Sequence, residues 1–439
     1  MTIQFTRGLM LAKTESTFNT AEPLNAALDA FEVISPDFTP DITTQRRAVV
    51  SNDISPFENL VTRKVGGMSF SLEVKSNGNT AGTVAPRIGR ILKACGFSET
   101  RISTAAQCVF RTVANVANAG DMNFYGDSST YTGGVYLKIK ATITSGGASG
   151  AATASFEHPA EATASTGGYA AMSMTDTDDV LLTDGAEITL HDNAGTPIVT
   201  ITPDFQSNDP QTGDVFWVHV RPIGYLYLPA TDGIESVTLD MQYPDDNGQS
   251  IRHRLIGARG TVTVNAAVGE FPTFDFEFTG TYVEQVDEPT LIGMFEDTDP
   301  AQVEYAALAL AQRFGEKETG LCASTWSIDM ANDIQIRDCI NESNATEGAF
   351  ITAREPTITY DPESVLAAQE PIWSYLENGT SVEWWVRHGT VDGNTVLFHA
   401  PNHQITNIAY GDRNNIRIFE IDGALARLNG NDELQILFT

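Results

Sequence analysis

The stretch Phe274-Asp275-Phe276-Glu277-Phe278 alternates strictly between aromatic and acidic side chains. Successive side chains of a β-strand point to opposite faces, so the phenylalanines share one face and the carboxylates share the other. Burying one phenylalanine contributes about 1.5–3 kcal/mol, whereas burying an unpaired carboxylate carries a heavy cost. The stretch therefore predicts a strand whose aromatic face lies in a core and whose Asp275 and Glu277 lie in water.

A related pattern occurs near the end of the chain. Residues 276–280 read Phe-Glu-Phe-Thr-Gly, and residues 419–423 read Phe-Glu-Ile-Asp-Gly. The segments upstream of the two copies follow the same order, with 63–70 corresponding to 354–360 and 261–266 corresponding to 395–400. Each match is weak alone, but their shared order predicts a duplicated β module, in which Glu420 and Asp422 lie on the face equivalent to that of Asp275 and Glu277.

A segment with a different texture interrupts the first copy. Short apolar strands are predicted at 188–190, 198–201 and 215–220, separated by turn-rich sequence. Short strands at regular spacing are typical of a β-sandwich of immunoglobulin type. The predicted fold is mainly β, and its domains are a first module (1–125 and 228–290), an inserted sandwich (126–227) and a second module (291–439).

Helices are predicted beside both copies. Ile88, Ile91, Leu92 and Cys95 fall on one face of a short helix over 86–95. A second helix is predicted over 364–376, where Pro371 should kink or end it. Its candidate caps are Asp361, Glu363 and Ser364.

Three further segments have specific predictions. Residues 1–45 are predicted to form an extended arm that leaves the body and packs on a neighbouring subunit. Strands are predicted at 325–329, 382–386 and 432–438. Of the pair within 382–386, one tryptophan, Trp384 or Trp385, is expected to face the core and the other a subunit contact.

The charge of the chain excludes some classes of partner. Its 439 residues include 57 acidic and 26 basic side chains, a net charge of −31. Such a charge disfavours binding to nucleic acid or to an anionic membrane. No apolar run reaches the roughly 18 residues of a membrane span, and no secretory signal is predicted. The four cysteines show no paired spacing and are expected to be reduced thiols.

Signatures of catalysis and of metal binding do not occur in the sequence. There is no G-x-S-x-G, H-E-x-x-H or P-loop pattern. His399 and His403 are spaced like ligands on a helix, but Pro401 between them argues against that helix. The sequence therefore predicts no enzymatic activity, no catalytic residues, no cofactor and no metal.

One long stretch contains acids but no bases. Between Arg259 and Arg313 there is no lysine or arginine. One interpretation is a solvated sheet face followed by an acidic linker. The other is the lining of a water-filled channel that must not bind a polyanion. Because the Debye length at physiological salt is about 8 Å, DNA inside such a channel would respond to the charges of the lining and hardly to those outside. The candidate lumen-facing residues are Asp275, Glu277, Glu420 and Asp422.

Several of these segments together resemble a known family. They are an opening with Arg7, Lys13, Glu15, Thr17-Phe18 and Pro23, then Gly260–Thr263, Gly269-Glu270 and the strand from Phe274 to Gly280, and finally Ser327-Ile328-Asp329, Arg337, Arg354-Glu355-Pro356 and Asp361-Pro362-Glu363. In these residues the chain resembles the major tail tube proteins of long, non-contractile-tailed (siphovirus-type) phages, in an internally duplicated form. The resemblance covers most of residues 1–125 and 228–439.

The resemblance implies a fold and an assembly. Each module is expected to be a small β-sandwich with a flanking helix, and modules are expected to join edge to edge into a ring lined by a large β-barrel. With two modules per chain, a trimeric ring is favoured over a hexamer. Rings would stack into the tail tube of a virion, assembled in the host cytoplasm, and DNA would pass through the lumen without specific binding.

The resemblance also implies partners, and the residues leave alternatives open. Tape measure and tail terminator or tip proteins are the expected partners, with no membrane contact, and the insert is expected to project outward. One alternative is a tail-associated adhesin that binds a host glycan through the inserted sandwich. Another is a polysaccharide-active enzyme, which would need a cleft with paired carboxylates.

Overall fold

The computed structural model describes residues 8–50, 52, 55, 57–79, 82–114, 118–126, 131, 137–157, 179–191, 197–292, 313–314, 322–342, 344–367, 370–389 and 393–439. The protein is mainly β, as predicted, with several sheets and short helices. Among the described residues, no helix combines the length and the apolar character that a membrane crossing needs.

The elements before the long central hairpin are β1 (Leu9–Thr14), β2 (Ala30–Phe31), β3 (Ile34–Arg46), β4 (Asn59–Glu73), α1 (Gly89–Ala94), β5 (Phe97–Ile102), α2 (Ala105–Cys108), β6 (Val109–Ala114), β7 (Met122–Tyr125), β8 (Leu137–Ser145), β9 (Thr153–Glu157), β10 (Val180–Leu181), β11 (Ile188–His191), β12 (Pro197–Phe205), β13 (Val215–Val220), β14 (Gly224–Pro229) and β15 (Val237–Pro244). The remaining elements are β16 (Gln249–Ala267), β17 (Thr273–Pro289), β18 (Arg313–Phe314), β19 (Ala323–Asp329), β20 (Asn332–Asp338), β21 (Thr346–Arg354), β22 (Thr357–Pro362), α3 (Ile372–Asn378), β23 (Ser381–His388), β24 (Val396–Arg413), β25 (Ile416–Leu425) and β26 (Gln435–Phe438).

Two sets of four antiparallel strands lie side by side in the large sheet. The first set runs β3-β4-β17-β16, and the second continues it as β19-β22-β25-β24. The strand that carries the repeated pattern is third in each set. Strands β16 and β19 join the sets, with Thr263 opposite Asp329.

The registers define which residues occupy equivalent places in the two sets. Met68 lies opposite Phe278, and Tyr360 lies opposite Ile421, so Tyr360 takes the place of Met68. This agrees with the predicted correspondence of 354–360 with 63–70.

The other predicted correspondence, of 395–400 with 261–266, is wrong. Thr261 pairs with Glu277, whereas the residue that pairs with Glu420 is Ala409. The structural counterpart of residues 261–265 is therefore 409–413. The reason is that β24 is one long strand with a bulge near Ile405, and 395–400 lie at its other end.

The alternation around Phe276 has the predicted consequence for burial. Phe274, Phe276 and Phe278 are buried, and they belong to one core that also contains Trp326 and Trp384 of the second set. The two sets of strands therefore share a continuous apolar interior. Both copies of the repeated pattern end in a glycine that has no room for a side chain, because a Cβ on Gly280 would lie 2.9 Å from the Ile256 carbonyl oxygen and one on Gly423 would collide with the His403 imidazole.

The strands predicted at 188–190, 198–201 and 215–220 are confirmed as parts of β11, β12 and β13. They belong to a five-stranded sheet, β10-β9-β8-β13-β6, and a three-stranded sheet, β11-β12-β7. The two smaller sheets enclose a second core, and their strands β6 and β7 precede residue 126. Strand β14, which follows them, pairs with β26 and β5 in the large sheet.

Strand β23 separates the two cores. Trp384 is fully buried against Trp326, with ring centroids 5.5 Å apart. Trp385, only 2% exposed, belongs to the second core together with Leu397 and Leu437. The prediction that one of these tryptophans faces a subunit contact is therefore wrong, because the inserted sheets cover that side of the strand.

The prediction that residues 1–45 leave the body as an arm is wrong for β1. Strand β1 pairs with β15 along its whole length, and Met10, Leu11 and Ala12 are fully buried. A strand buried on both faces has a continuous apolar sequence without alternation. Strand β3 then forms a hairpin with β4.

The two predicted helices have different outcomes. The helix over 86–95 is confirmed as α1, which ends before Gly96 at a φ of +85°. The helix predicted over 364–376 is misplaced: α3 spans Ile372–Asn378, and Pro371 precedes it rather than ending it. Asp361 is part of β22 and caps no helix. Pro371 is compatible with the start of α3, because proline there lacks only an N–H that would have no helical partner.

Candidate functional site: a polar sheet face between two strand edges

The four predicted acids lie on one face of the large sheet. Asp275 and Glu277 project from β17 on the side opposite to the buried phenylalanines, and Glu420 and Asp422 project from β25 in the same way. Glu277, Glu420 and Asp422 are exposed, and Asp275 is half-buried. The structure therefore brings all four predicted residues to one solvent-facing surface, which we call the polar face.

Neighbouring strands complete the polar face with hydroxyl and carboxylate groups. The cross-strand partners of Asp275 are Ser71 and Thr263, and Thr263 in turn faces Asp329 of the second set. Glu277 lies between Ser69 and Thr261, and Asp422 lies opposite Thr359. Asp37 of β3 extends the row of Ser69 and Glu277, and Asp41 lies opposite Val65 in the row of Thr281.

Side-chain hydrogen bonds orient the acids of the polar face, and the bond between Ser327 and Asn265 crosses the junction between the two sets. The Asn265 amide donates to the Asp275 carboxylate at 2.6 Å, and the Ser327 hydroxyl donates to the Asn265 amide oxygen at 2.6 Å. In the second set, the Asn407 amide donates to Asp422 at 3.0 Å. These contacts fix the orientation of the acids and join β17, β16 and β19 through side chains as well as through the backbone.

Positive charge on the described polar face is neutralised locally. Arg413, near the end of β24, lies 3.3 Å from the Asp361 carboxylate and 3.1 Å from that of Glu363. Burial of Asp361 acts to raise its pKa, but hydrogen bonds from Ser324 and from two backbone N–H groups, together with Arg413, hold the pKa below its ordinary value. The face therefore presents acids, hydroxyls and amides to the solvent.

The eight-strand path ends in two edges that no other described strand covers. Strand β3 pairs only with β4, so its outer edge is open. Strand β24 pairs with β23 as far as Gln404, and beyond that point its outer edge is open as far as Arg413. Open edges present unpaired N–H and C=O groups to another strand.

The histidines and acids of the described residues do not gather into a metal centre. No group of three histidine, cysteine or acidic side chains there could hold a metal ion. His399 bonds to Glu383 at 2.7 Å, and Glu383 also bonds to His219 of β13 at 3.1 Å, so this cluster links the inserted sheets to β23 and β24. His403 packs elsewhere, against the ring of Tyr360.

A surface cavity of about 140 Å³ lies beside α1, between β2 and the end of β4. Its lining includes Lys75 and Arg87, but Lys75 is 3.3 Å from Glu32 and 3.8 Å from Glu73. The local charge is therefore balanced, and the cavity lacks the excess of cations that an anion site needs.

Sequence reasoning found the acids of the third strand in each set but missed those of β3 and β19. The alternation of Asp37, Phe38 and Thr39 carries the same signal as the strand around Phe276, and Ser327 and Asp329 alternate with Ile328. Two prolines flank Phe38 and mask the pattern, since proline disfavours a strand prediction.

Comparison with known proteins does not place the chain in a family. No protein-family model matches the chain, and no curated protein matches it.

Proposed function

We propose that the chain is a tail tube protein of a long-tailed phage. Its copies join by strand pairing into rings, and stacked rings surround a passage for DNA. The observation that supports this most directly is the pairing of β16 with β19, because it joins two equivalent four-strand sets edge to edge within one chain. The same chain leaves the counterpart edges, β24 and β3, open to a second copy.

The internal junction specifies a register for the junction between copies. Thr263 and Gly411 hold equivalent places, because their partners Asp275 and Ile418 precede Phe276 and Phe419 of the repeated pattern. Asp329 and Asp41 are likewise equivalent through β22, β25, β17 and β4. The pair Thr263–Asp329 therefore predicts that Gly411 of one copy lies opposite Asp41 of the next.

The size of the passage favours three copies per ring. Eight strands per chain give about 24 strands in a trimer, and a strand spacing of about 4.8 Å gives a circumference of about 115 Å and a diameter of about 37 Å before strand tilt. Inward side chains leave room for a DNA duplex about 20 Å across. A hexamer would double the diameter to about 73 Å, far wider than DNA requires.

The polar face suits the lining of this passage. A duplex carries a charge every ~1.7 Å along its axis, so a basic lining would bind it tightly. Carboxylates at Asp275, Glu277, Glu420 and Asp422 repel phosphates, and the surrounding hydroxyls keep the wall wet. The expected result is transit of DNA without specific binding.

The finer architecture follows from the same proposal. Each four-strand set, with its helix, would be a tail-tube-type module, and the inserted sheets would form an immunoglobulin-like domain on the outside of the wall. Tape measure protein would occupy the lumen during assembly in the host cytoplasm, and terminator or tip proteins would bind the ends of the tube. The protein would then reside in the virion tail and carry no enzymatic activity.

Electron microscopy of the concentrated protein tests the proposal, with a pair of variants at the open edge of β24. Asn414 and Asn415 form a two-residue turn, so Arg413 and Ile416 are the hydrogen-bonded pair and the N–H of Asp412 points outward. Asp412→Pro removes both the carboxylate and that backbone N–H. Asp412→Ala removes the carboxylate but keeps the N–H.

We expect hollow rings or rods from the wild type and from Asp412→Ala, and loss of assembly in Asp412→Pro. Rings should show threefold symmetry with a sixfold appearance of the wall. A wild type that stays monomeric at high concentration would refute the tube, and glycan binding by those monomers would favour the adhesin instead.

A further inference from the structure

The far part of the β3–β4 hairpin carries exposed aliphatic side chains, and Arg63 at its base lies 3.5 Å from Asp338 of β20 in the same chain. We call residues 41–50 and 57–64 the distal hairpin; in its strands Ile42 pairs with Lys64, and Thr44 pairs with Val61. Ile42 is 41% exposed, and the neighbours Leu60 and Val61 are 48% and 56% exposed. Aliphatic side chains gathered on a protruding hairpin indicate a contact surface.

The equivalent hairpin of the second set is docked rather than projecting. Hairpin β20–β21 lies against β16 and β17 of the first set, where the hydroxyls of Thr346 and Thr281 are 2.8 Å apart and buried. Phe350 of β21 contacts Arg259 of β16, with the guanidinium 4.9 Å from the ring centroid, and Arg259 donates to the Ala349 carbonyl at 3.1 Å. One set therefore already provides a receptor for the hairpin of the next.

The two hairpins share a local feature at their far ends. The Arg337 guanidinium lies 5.7 Å from the Phe350 ring, and the Arg47 guanidinium lies 5.7 Å from the Phe57 ring. In β20–β21 this aromatic ring is held by contact with the neighbouring set. In the distal hairpin Phe57 is 39% exposed.

The receptor surface has a counterpart on the second set. Asn407 holds the place of Arg259, because Asp422 and Thr279 are equivalent in the repeated pattern. Ala424 likewise holds the place of Thr281. Asn407 is exposed and Ala424 is half-buried, whereas Thr281 is 1% exposed beneath the docked hairpin.

Charge complementarity supports the same match. The described residues of the distal hairpin carry the bases Arg46, Arg47, Arg63 and Lys64 against the acids Asp41 and Glu58, in a chain whose net charge is −31. Arg63 is paired with Asp41 and Asp338 of its own chain, so Arg46, Arg47 and Lys64 provide the charge for a second copy. The counterpart surface carries the exposed carboxylate of Asp422 beside Asn407. Opposite charges of this kind steer association and fix its register.

We propose that the distal hairpin of one copy docks on the surface around Asn407 and Ala424 of a second copy, which we call the hairpin receptor. The contact repeats between chains what β20–β21 makes within one chain. This inference rests on the proposed ring, since only neighbouring copies bring the β3 edge of one chain beside the β24 edge of another. In this proposal the exposed aliphatic side chains of the distal hairpin stabilise the contact between neighbouring copies.

Photocrosslinking locates the contact. The photoreactive p-benzoylphenylalanine is incorporated in place of Val61, and assemblies are made from a mixture of ¹⁵N-labelled and unlabelled chains, so that contacts between copies give mixed-isotope products. We expect mixed products that join position 61 to residues 404–407 or 422–426. Crosslinks within one chain, between two distal hairpins, or to added DNA would overturn the inference.

A matched pair of surface variants tests its energetic role. Leu60→Asp with Val61→Asp places charges on the distal hairpin, and Leu28→Asp with Val268→Asp places the same charges at positions 57% and 61% exposed elsewhere. We expect the hairpin variant to raise the concentration needed for ring formation about tenfold or more, and the control to leave it unchanged.

The outcomes separate this inference from the proposed function. Rings that still depend on the Asp412 edge but form equally well with the hairpin variant would overturn the docking contact alone. A wild type that forms no rings would overturn both. Circular dichroism of the monomers shows whether either variant has lost its fold.

Discussion

Thr263 of β16 lies directly opposite Asp329 of β19, and this pair marks the line along which the two halves of the sheet meet. Backbone pairing and the hydrogen bond from Ser327 to Asn265 hold this line together, and Asn265 donates in turn to Asp275 within the first set. Because equivalent residues occur at both ends of the eight-strand path, the chain contains its own example of how copies can join.

Pro40 provides a test of the edge that copies would share. It holds the place of Ile328, whose counterpart across the junction is Val264. Proline has no N–H, so the inferred ladder between copies lacks one donor at this point. We expect Pro40→Thr to lower the protein concentration at which rings form, measured by light scattering and sedimentation, because it adds that donor.

The control for this change is Thr43→Ser, farther along the same strand. Pro40→Thr should leave the unfolding free energy of the monomer within about 0.5 kcal/mol, as for most surface substitutions. Weaker assembly of Pro40→Thr would contradict the outward direction assigned to this position.

The polar face makes a charge prediction. Asp275→Lys combined with Glu277→Lys should retain assembly but make assembled tubes bind DNA, because the lining then attracts phosphates. Cosedimentation of duplex DNA with the tubes, measured over a range of salt concentrations, checks this. Asp232→Lys with Asp246→Lys changes the net charge equally in exposed turns. Equal DNA binding by both variants would mean that Asp275 and Glu277 do not line the passage.

Burial of His403 predicts a loss of stability at acid pH. Its imidazole is fully buried, and burial lowers its pKa to about 3. The unfolded chain protonates near pH 6.5 while the folded form does not, so stability is complete above about pH 6.5 and falls as the pH decreases toward 3. His388, with its pKa lowered to about 4 by burial, acts in the same direction.

Urea unfolding at pH 7 and pH 5 measures this effect. We expect each of these histidines to contribute a loss of about 2 kcal/mol at pH 5. His403→Leu removes one titrating group, so its unfolding free energy should depend less on pH, whatever its value at pH 7. An unchanged pH dependence would show that protonation of His403 is not coupled to unfolding.

Trp385 tests the connection between the inserted sheets and β23. Trp385→Ala should lower the unfolding free energy by about 3–5 kcal/mol, because it leaves a cavity in the second core. Limited proteolysis should then cut the inserted sheets faster. Trp373→Ala is the control, since Trp373 is 38% exposed and contacts mainly Tyr410. Similar effects of the two substitutions would contradict the placement of Trp385 in a core.

The sequence predicts those parts of the fold in which the two sides of a strand differ. The strand around Phe276 was recognisable because one side meets a core and the other meets water. Strand β1 was not, because Met10 and Leu11 are buried on opposite faces and no alternation results. The position of α3 was missed because Pro371 can either end a helix or begin one.

The candidate site was predictable in its acids but not in its edges. Asp275 and Glu420 belong to two strands with a related sequence, so that the acidic face predicted for one strand could be predicted for the other. Whether a strand has a neighbour on both sides depends on pairings between distant segments, such as β16 with β19, and local sequence does not encode these. The environment of Trp385 was predicted wrongly for a similar reason, because the sheets that cover it come from segments at least 160 residues earlier in the chain.

Trp384 and Trp385 are consecutive residues, yet they anchor different cores. A force applied to the inserted sheets would therefore pass into the main sheet through the side chains packed on β23, together with Leu397, Leu437 and the contact of Glu383 with His219. In a tube wall, such a connection would hold the inserted sheets rigidly, so that mechanical load on the outside of the tail would be transmitted directly to the strands around the passage.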